Sequence, residues 1–232
     1  MSNNGTGPAY GIIVAAGKSE RMGGIDKVFA TLMGRPLLVW TLTAFKKCED
    51  IHAIVIVAAP DAVNRMTDFV AEWRFPRVAA IVAGGETRQQ SVRAGLEASS
   101  EASIVAIHDG ARPLVTAEMI SHGIAIARES GAAVCGVPSR DTVKLVEGDP
   151  PLVRSTPERS IVWIAQTPQI FSRSLLLDAH ERATSTQTDD AALVEAIGHP
   201  VQAYEGAAWN LKITTPDDLI IAEALLRERF TS

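Results

Sequence analysis

Short apolar runs recur along this chain with a helix-length segment between each pair, and that alternation limits the folds open to it. Gly11–Val14, Ala53–Ala58, Val78–Val82, Ile104–His108 and Ala132–Val137 read as strands, the first as a strand buried on both faces. Pro36–Lys46 starts with proline and is apolar all round, as in a well-buried helix. Pro60-Asp61 opens a helix towards Trp73, Gly84–Val92 leads into one through Ala98, and Ala117–Ser130 reads as another. Strand and helix at this spacing predict an α/β fold with a doubly wound, mostly parallel sheet. Such sheets bind ligands beyond the carboxyl ends of their strands, which is where the polar residues of this chain cluster.

The first of those strand ends is the most informative. In Tyr10–Lys27 (YGIIVAAGKSERMGGIDK) the apolar run passes into Ala15, Ala16 and Gly17, then Lys18, Arg21 and Lys27 with Gly23 and Gly24 between them. Small residues let backbone N–H groups close on an anion, and the cations neutralise it, which suggests a polyphosphate site. Neither the P-loop nor G-x-G-x-x-G is present. On composition alone, a strand followed by a solvated basic loop reads equally well.

The alternation breaks at Ser139. Thr142–Glu147, Gly148-Asp149-Pro150-Pro151 and Leu152–Ser155 read as a polar β-hairpin, an arm over 139–160 with nothing nearby in sequence to cover it. An exposed hairpin is an edge liability, so a partner subunit or a surface flap is expected. Ile161–Ala165 reads as a strand and Thr167-Pro168-Gln169 as a turn before a helix near Ser172. Thr188-Asp189-Asp190 precedes a further helix, and Val201–Tyr204 and Leu211–Ile213 read as strands. Thr215-Pro216-Asp217-Asp218 combines a Thr cap, an early proline and first-turn acids, so a final helix should run to Phe230. No linker or repeat divides the chain, and one domain over 1–232 is expected.

Composition narrows the function. The 232 residues are 47% hydrophobic and 21% charged, ordinary for a soluble domain, and the net charge of −5 supplies no basic stripe for nucleic acid. Cys48 and Cys135 lie in apolar stretches without metal-ligand spacing and read as buried thiols. MSNNGTG is not a signal peptide and no run would span a bilayer, so a cytoplasmic protein without membrane contact is expected.

Further polar motifs follow the strand ends. They are Gly84-Gly85 with Arg88 and Ser91; His108-Asp109-Gly110-Ala111-Arg112-Pro113; and Asp141-Thr142-x-Lys144. Arg159, Gln166-Thr167-Pro168-Gln169, Thr188-Asp189 and Asn210-x-Lys212 come later. Singly, each reads as a turn, a cap or a surface ion pair. Together and in this order they closely resemble the 2-C-methyl-D-erythritol 4-phosphate cytidylyltransferase family, from Tyr10 to Leu226. The A-A-G-x-x-x-R-M loop with its lysine resembles that of sugar-phosphate nucleotidyltransferases, with Ser19 where the family usually has glycine.

The resemblance implies a Rossmann-like nucleotidyltransferase fold with a protruding hairpin arm and a homodimer that exchanges those arms. It implies that Ala15, Ala16, Gly17, Arg21, Lys27, Gly84, Gly85, Ser91 and Gly110 hold CTP. The acceptor, methylerythritol phosphate, would lie among Asp109, Arg112, Thr142, Thr167, Thr188 and Lys212, with Arg159 reaching in from the other subunit. Arg21, Lys27, Lys212 and Asp109 would carry the catalysis, with Mg²⁺ held largely by the phosphates and Asp109 a candidate ligand. The alternatives are a ribitol-5-phosphate cytidylyltransferase and a non-catalytic nucleotide-binding regulatory module.

Overall fold

A computed structural model of the chain describes residues 7–17 and 27–231. The elements are β1 (Ala9–Ala15), β2 (Thr31–Leu32), β3 (Arg35–Pro36), α1 (Leu37–Lys47), β4 (Ile51–Ala58), α2 (Val63–Glu72), β5 (Val78–Ala83), α3 (Arg88–Glu97) and β6 (Ile104–Asp109). They continue with α4 (Ala117–Ser130), β7 (Ala132–Pro138), β8 (Leu145–Glu147), β9 (Leu152–Ser155), β10 (Trp163–Ser172), α5 (Arg173–Arg182), α6 (Asp190–Ala196), β11 (Gln202–Glu205) and α7 (Pro216–Thr231).

Among the described residues seven strands form one sheet in the order β11-β7-β10-β6-β1-β4-β5. β1 lies inside it, parallel to both β4 and β6. Alternation along the strands sends side chains to two cores. Ile13, Ile54, Ile56 and Ala106 pack on one face, and Ile12, Val55, Val57 and Ile107 on the other. Helices cover both faces, so these strands are apolar at nearly every position, as the sequence predicts. Truncating one such residue, Ile13→Ala for example, costs about 2–5 kcal/mol through lost transfer energy and an unfilled cavity.

The structure differs from the sequence reading in four places. Thr167-Pro168-Gln169 is not a turn: β10 runs through it, antiparallel to both β6 and β7. Proline is tolerated there because the pairing with β7 skips from Ala165 to Gln169, so no ladder N–H is required of Pro168. Leu211–Ile213 is not a strand; Ile213 is apolar because it packs in the core beneath α7 with Leu32, Leu37 and Ala222. The small β2–β3 hairpin gives no apolar run to read and turns through Met33 and Gly34, both with φ > 0. Finally, among the described residues β8 pairs only with β9, and this hairpin starts at Leu145 rather than Thr142. It is less polar than its charged residues suggest, since Leu145, Val146, Leu152 and Val153 are all more than half exposed (51–68%).

Candidate active site

The carboxyl ends of β1 and β6 open into a cleft of about 1020 Å³. Ala15, Ala16 and Gly17 form one wall; Gly85, Arg88 and Ser91 at the start of α3 form a second; Asp109 and Lys212 form a third. The second wall is shaped by glycine. A Cβ on Gly84 would fall 2.6 Å from the Ala16 methyl and 2.6 Å from Ser91 Oγ, so only glycine lets the start of α3 close on the β1 loop. The Gly85 N–H donates to Ser91 Oγ at 3.2 Å, and the Ser91 hydroxyl donates to the Thr87 carbonyl at 3.0 Å. Thr87 caps α3 in a capping box with Gln90, satisfying N–H groups at the helix start.

Asp109 is the electrostatic centre of the third wall. Lys212 Nζ lies 2.9 Å from its Oδ2, Arg112 Nε 3.6 Å from the same oxygen, and Arg88 Nε 3.6 Å from Oδ1. Burial opposes ionisation of this carboxyl, but the attraction of Lys212, Arg88 and Arg112 outweighs it and holds Asp109 well below the usual carboxylate range. Lys212 is the most exposed of these cations, at 39% of its side chain, and so the one best able to meet an incoming anion. Arg88 also reaches Asp190 of α6 at 2.7 Å. Asp190 is fully buried, and that burial raises its pKa against the pull of Arg88.

Behind Asp109, a chain of hydrogen bonds fixes one histidine tautomer. His108 Nε2 faces the Arg112 carbonyl at 3.2 Å; a carbonyl only accepts, so Nε2 carries the proton. Nδ1 therefore accepts from the Thr167 hydroxyl at 3.0 Å, and Thr167 Oγ1 accepts the Asp109 N–H at 3.1 Å. Burial, with the nearby Arg112 and Lys212 charges, lowers the His108 pKa to about 4 and keeps the ring neutral. The thiols are inert: Cys48 and Cys135 are buried, and burial pushes Cys135 up to about 11.

Among the residues predicted from sequence, Ala15, Ala16, Gly17, Gly85, Ser91, Asp109 and Lys212 meet in this cleft. Gly84, Gly110, Arg112 and Thr167 lie directly behind its walls, Gly110 through an N–H donated to Val14 O at 2.9 Å. Thr142, Arg159 and Thr188 are exposed and do not line it; the Arg159 guanidinium donates to the Arg140 carbonyl at 3.4 Å. Lys18, Ser19, Arg21 and the side chain of Lys27 lie outside the described residues. Sequence reasoning named Gln166 and Asn210 within motifs without giving either a role, read Asp190 only as part of a helix start, and passed over Arg65. Arg65 lines the cleft and stacks its guanidinium 3.8 Å over the ring of Phe29, beside Lys27. The signal was modest: charged or amide side chains set in otherwise apolar segments.

Fold and cleft define a doubly wound α/β protein with a cleft at its strand ends, walled by small residues and cations. The family described as IspD, 2-C-methyl-D-erythritol 4-phosphate cytidylyltransferase, matches residues 10–228. The 2-C-methyl-D-erythritol 4-phosphate cytidylyltransferase of Dehalococcoides mccartyi is 43% identical over 217 residues, covering 94% of this chain and 95% of the relative. The crystal structure of 4-diphosphocytidyl-2C-methyl-D-erythritol synthase from Anaerococcus prevotii superposes with a TM-score of 0.83 at 31% identity, covering 95% and 96% of the two chains. That of the cytidylyltransferase from Thermus thermophilus gives 0.74 at 37% identity, covering 93% and 98%. The chain belongs to the 2-C-methyl-D-erythritol 4-phosphate cytidylyltransferase family.

Proposed function

We propose that this protein transfers CMP from CTP to 2-C-methyl-D-erythritol 4-phosphate and releases pyrophosphate, a step of non-mevalonate isoprenoid precursor synthesis. Family membership carries the reaction class. The observation that carries the site is the ionised Asp109, ringed by Lys212, Arg88 and Arg112 beside the Ala15–Gly17 wall. An acceptor oxygen of the methylerythritol phosphate attacks the α-phosphorus of CTP in line, forming one P–O bond as the bond to pyrophosphate breaks.

A phosphate monoester has a second pKa of about 6 and is mostly dianionic at neutral pH, so it attacks without a general base. His108 fits that reading, because both its nitrogens are committed to Arg112 and Thr167. The protein's task is to hold two anions together and to offset charge as the α-phosphorus becomes five-coordinate. In this reading Arg21 and Lys27 meet the CTP phosphates, while Lys212 and Arg112 orient the acceptor. Thr167, its proton given to His108, keeps lone-pair capacity for an acceptor hydroxyl.

Among the described residues no group of three His, Cys, Asp or Glu side chains could hold a metal ion. Both Asp109 oxygens face cations, a poor setting for direct contact with a divalent ion. A Mg²⁺ ion that enters on the CTP phosphates, retaining waters, fits these residues better than a protein-built cage.

The hairpin supports a homodimeric reading. Leu145, Val146, Leu152 and Val153, with Ile161 just before β10 and Trp163 and Ile164 at its start, are exposed large apolar side chains. Burying such a patch against a second copy would also bring Arg159 towards a neighbouring cleft. Among the described residues no helix is long and apolar enough to cross a membrane.

The test of function is pyrophosphate release from purified protein, CTP and Mg²⁺, with 2-C-methyl-D-erythritol 4-phosphate and ribitol 5-phosphate as separate acceptors. Release with the first and not the second is expected. Release with ribitol 5-phosphate alone would move the chain to another acceptor, and release with neither would favour a non-catalytic binding role.

A further inference from the structure

Lys212 lies in a stretch with neither helix nor strand, between β11 and α7, yet its ammonium sits at hydrogen-bond distance from Asp109. A long side chain on an unpaired loop keeps such a position only if the loop itself is fixed. Asn210, two residues earlier, is fully buried. Its Nδ2 donates to Gln166 Oε1 at 3.2 Å and to the Thr167 carbonyl at 3.0 Å. Its own backbone carbonyl accepts from Arg112 at 2.7 Å. The two acceptors settle the amide orientation, since the flipped amide would set Oδ1 against both.

Gln166 is itself held. Its Nε2 donates to the Ala207 carbonyl at 2.8 Å, and its Oε1 accepts the Ala207 N–H at 3.4 Å. That reciprocal pair satisfies the backbone N–H and carbonyl of Ala207 just past β11, and ties the chain leading to Asn210 onto β10. On the far side of Lys212, the Ile213 N–H donates to the Ala111 carbonyl at 2.8 Å. Lys212 is therefore suspended between anchors at 210 and 213. They land on β10 and on the turn that follows Asp109 at the end of β6 and carries Arg112.

We infer that Asn210 is a positioning residue for the acceptor-side cation: it holds Lys212 against Asp109 through its buried amide without touching either substrate. The inference rests on the reading of Lys212 as a ligand of the acceptor phosphate. Losing the amide frees the loop on one side, and displacement of a positioning group by about an ångström can cost on the order of a hundredfold in rate.

The test is a double-mutant cycle on the full-length protein, with Asn210→Ala, Lys212→Met and their combination, reading kcat and both KM values. Asn210→Ala is expected to lower kcat/KM for the acceptor by about a hundredfold while KM for CTP stays near wild type. In the Lys212→Met background the same substitution should change little, because the group it positions is gone. Gln166→Met keeps the side-chain volume but removes one of the two acceptors; it should show the same pattern at smaller amplitude, and it carries the test if Asn210→Ala does not fold. Full additivity of the two losses, or equal damage to both KM values, overturns the positioning role. A wild-type-like Lys212→Met overturns the reading of Lys212, and the inference with it.

Discussion

Lys212 Nζ and Asp109 Oδ2 meet at 2.9 Å in the wall of the cleft, and the other oxygen of Asp109 is given to Arg88. One carboxylate thus organises cations delivered by three separate parts of the chain. Asp109→Asn keeps the shape but leaves Lys212, Arg88 and Arg112 mutually repelling around a neutral amide. The substitution is expected to destabilise the fold by about 2 kcal/mol, the scale for removing one partner of a buried, charge-assisted contact. It should also raise KM for the acceptor more than KM for CTP. Urea unfolding and steady-state kinetics check both, and an unchanged acceptor KM would take Asp109 out of that subsite.

Lys27→Ala is expected to lower kcat on the order of a hundredfold while shifting KM for CTP less, because the charge it meets develops on the α-phosphoryl group in the transition state. Steady-state rates at saturating CTP decide it. Near-normal kcat with weakened CTP binding would assign Lys27 to ground-state binding alone.

CTP should be turned over in strong preference to UTP. A site that accepts from the exocyclic amine of cytosine is left with an unmatched buried acceptor when a carbonyl replaces that amine. Competition between the two nucleotides for one acceptor gives the ratio of kcat/KM directly. Equal turnover would contradict a cytidylyl-specific site.

Much of this arrangement was legible from sequence, for physical reasons. β1, β4 and β6 announce themselves because burial on both faces demands near-continuous apolar runs, and Asp109 is the polar residue at which the β6 run stops. α4 was readable to the residue as Ala117–Ser130, and the structure adds a Thr116 cap at one end and Gly131 at φ 85° at the other. Tertiary side-chain hydrogen bonding left no such trace. Gln166 and Asn210 carry no periodic signature because their backbone partners, Ala207 for one and Thr167 for the other, are distant in sequence. Pro168 read as a turn because the register skip that spares its missing N–H leaves no local mark. The Arg88–Asp190 pair joins α3 to α6, and nothing local in either segment names the partner.

Acid sensitivity should come from histidines rather than from Asp109. The depressed Asp109 pKa contributes stability above its unfolded value, lost only as pH falls through a folded value below the usual range. His108 and His180 act in a different window. Burial, the leading cause for each, lowers both from 6.5 to about 4. Between those pH values the unfolded chain binds protons that the folded one refuses, so stability falls as pH falls, by at most about 1.4 kcal/mol per pH unit for each histidine. His180→Leu removes one such group, whose Nε2 lies 4.0 Å from Asp190 Oδ1 and has no hydrogen-bond partner among the described residues. Urea unfolding from pH 6.5 to pH 4.5 should show a shallower loss in the variant than in wild type; parallel curves would exclude His180 as a contributor.

The shared-site reading makes a sharper demand. Arg159 follows the β8–β9 hairpin, is exposed, and does not line the cleft of its own chain. If it serves a neighbour's cleft, Lys27→Ala and Arg159→Ala damage complementary halves of a composite site, and each homodimer alone should be nearly inactive. In a mixed dimer one site then carries both lesions and the other carries neither. Random re-pairing of equal amounts makes half the dimers mixed, each with one intact site of two, so roughly a quarter of wild-type activity should return. A tagged-subunit pull-down establishes that exchange has occurred. If Arg159 acts within its own chain, every site in the mixture keeps a lesion, so exchange without recovered activity would reject the shared site.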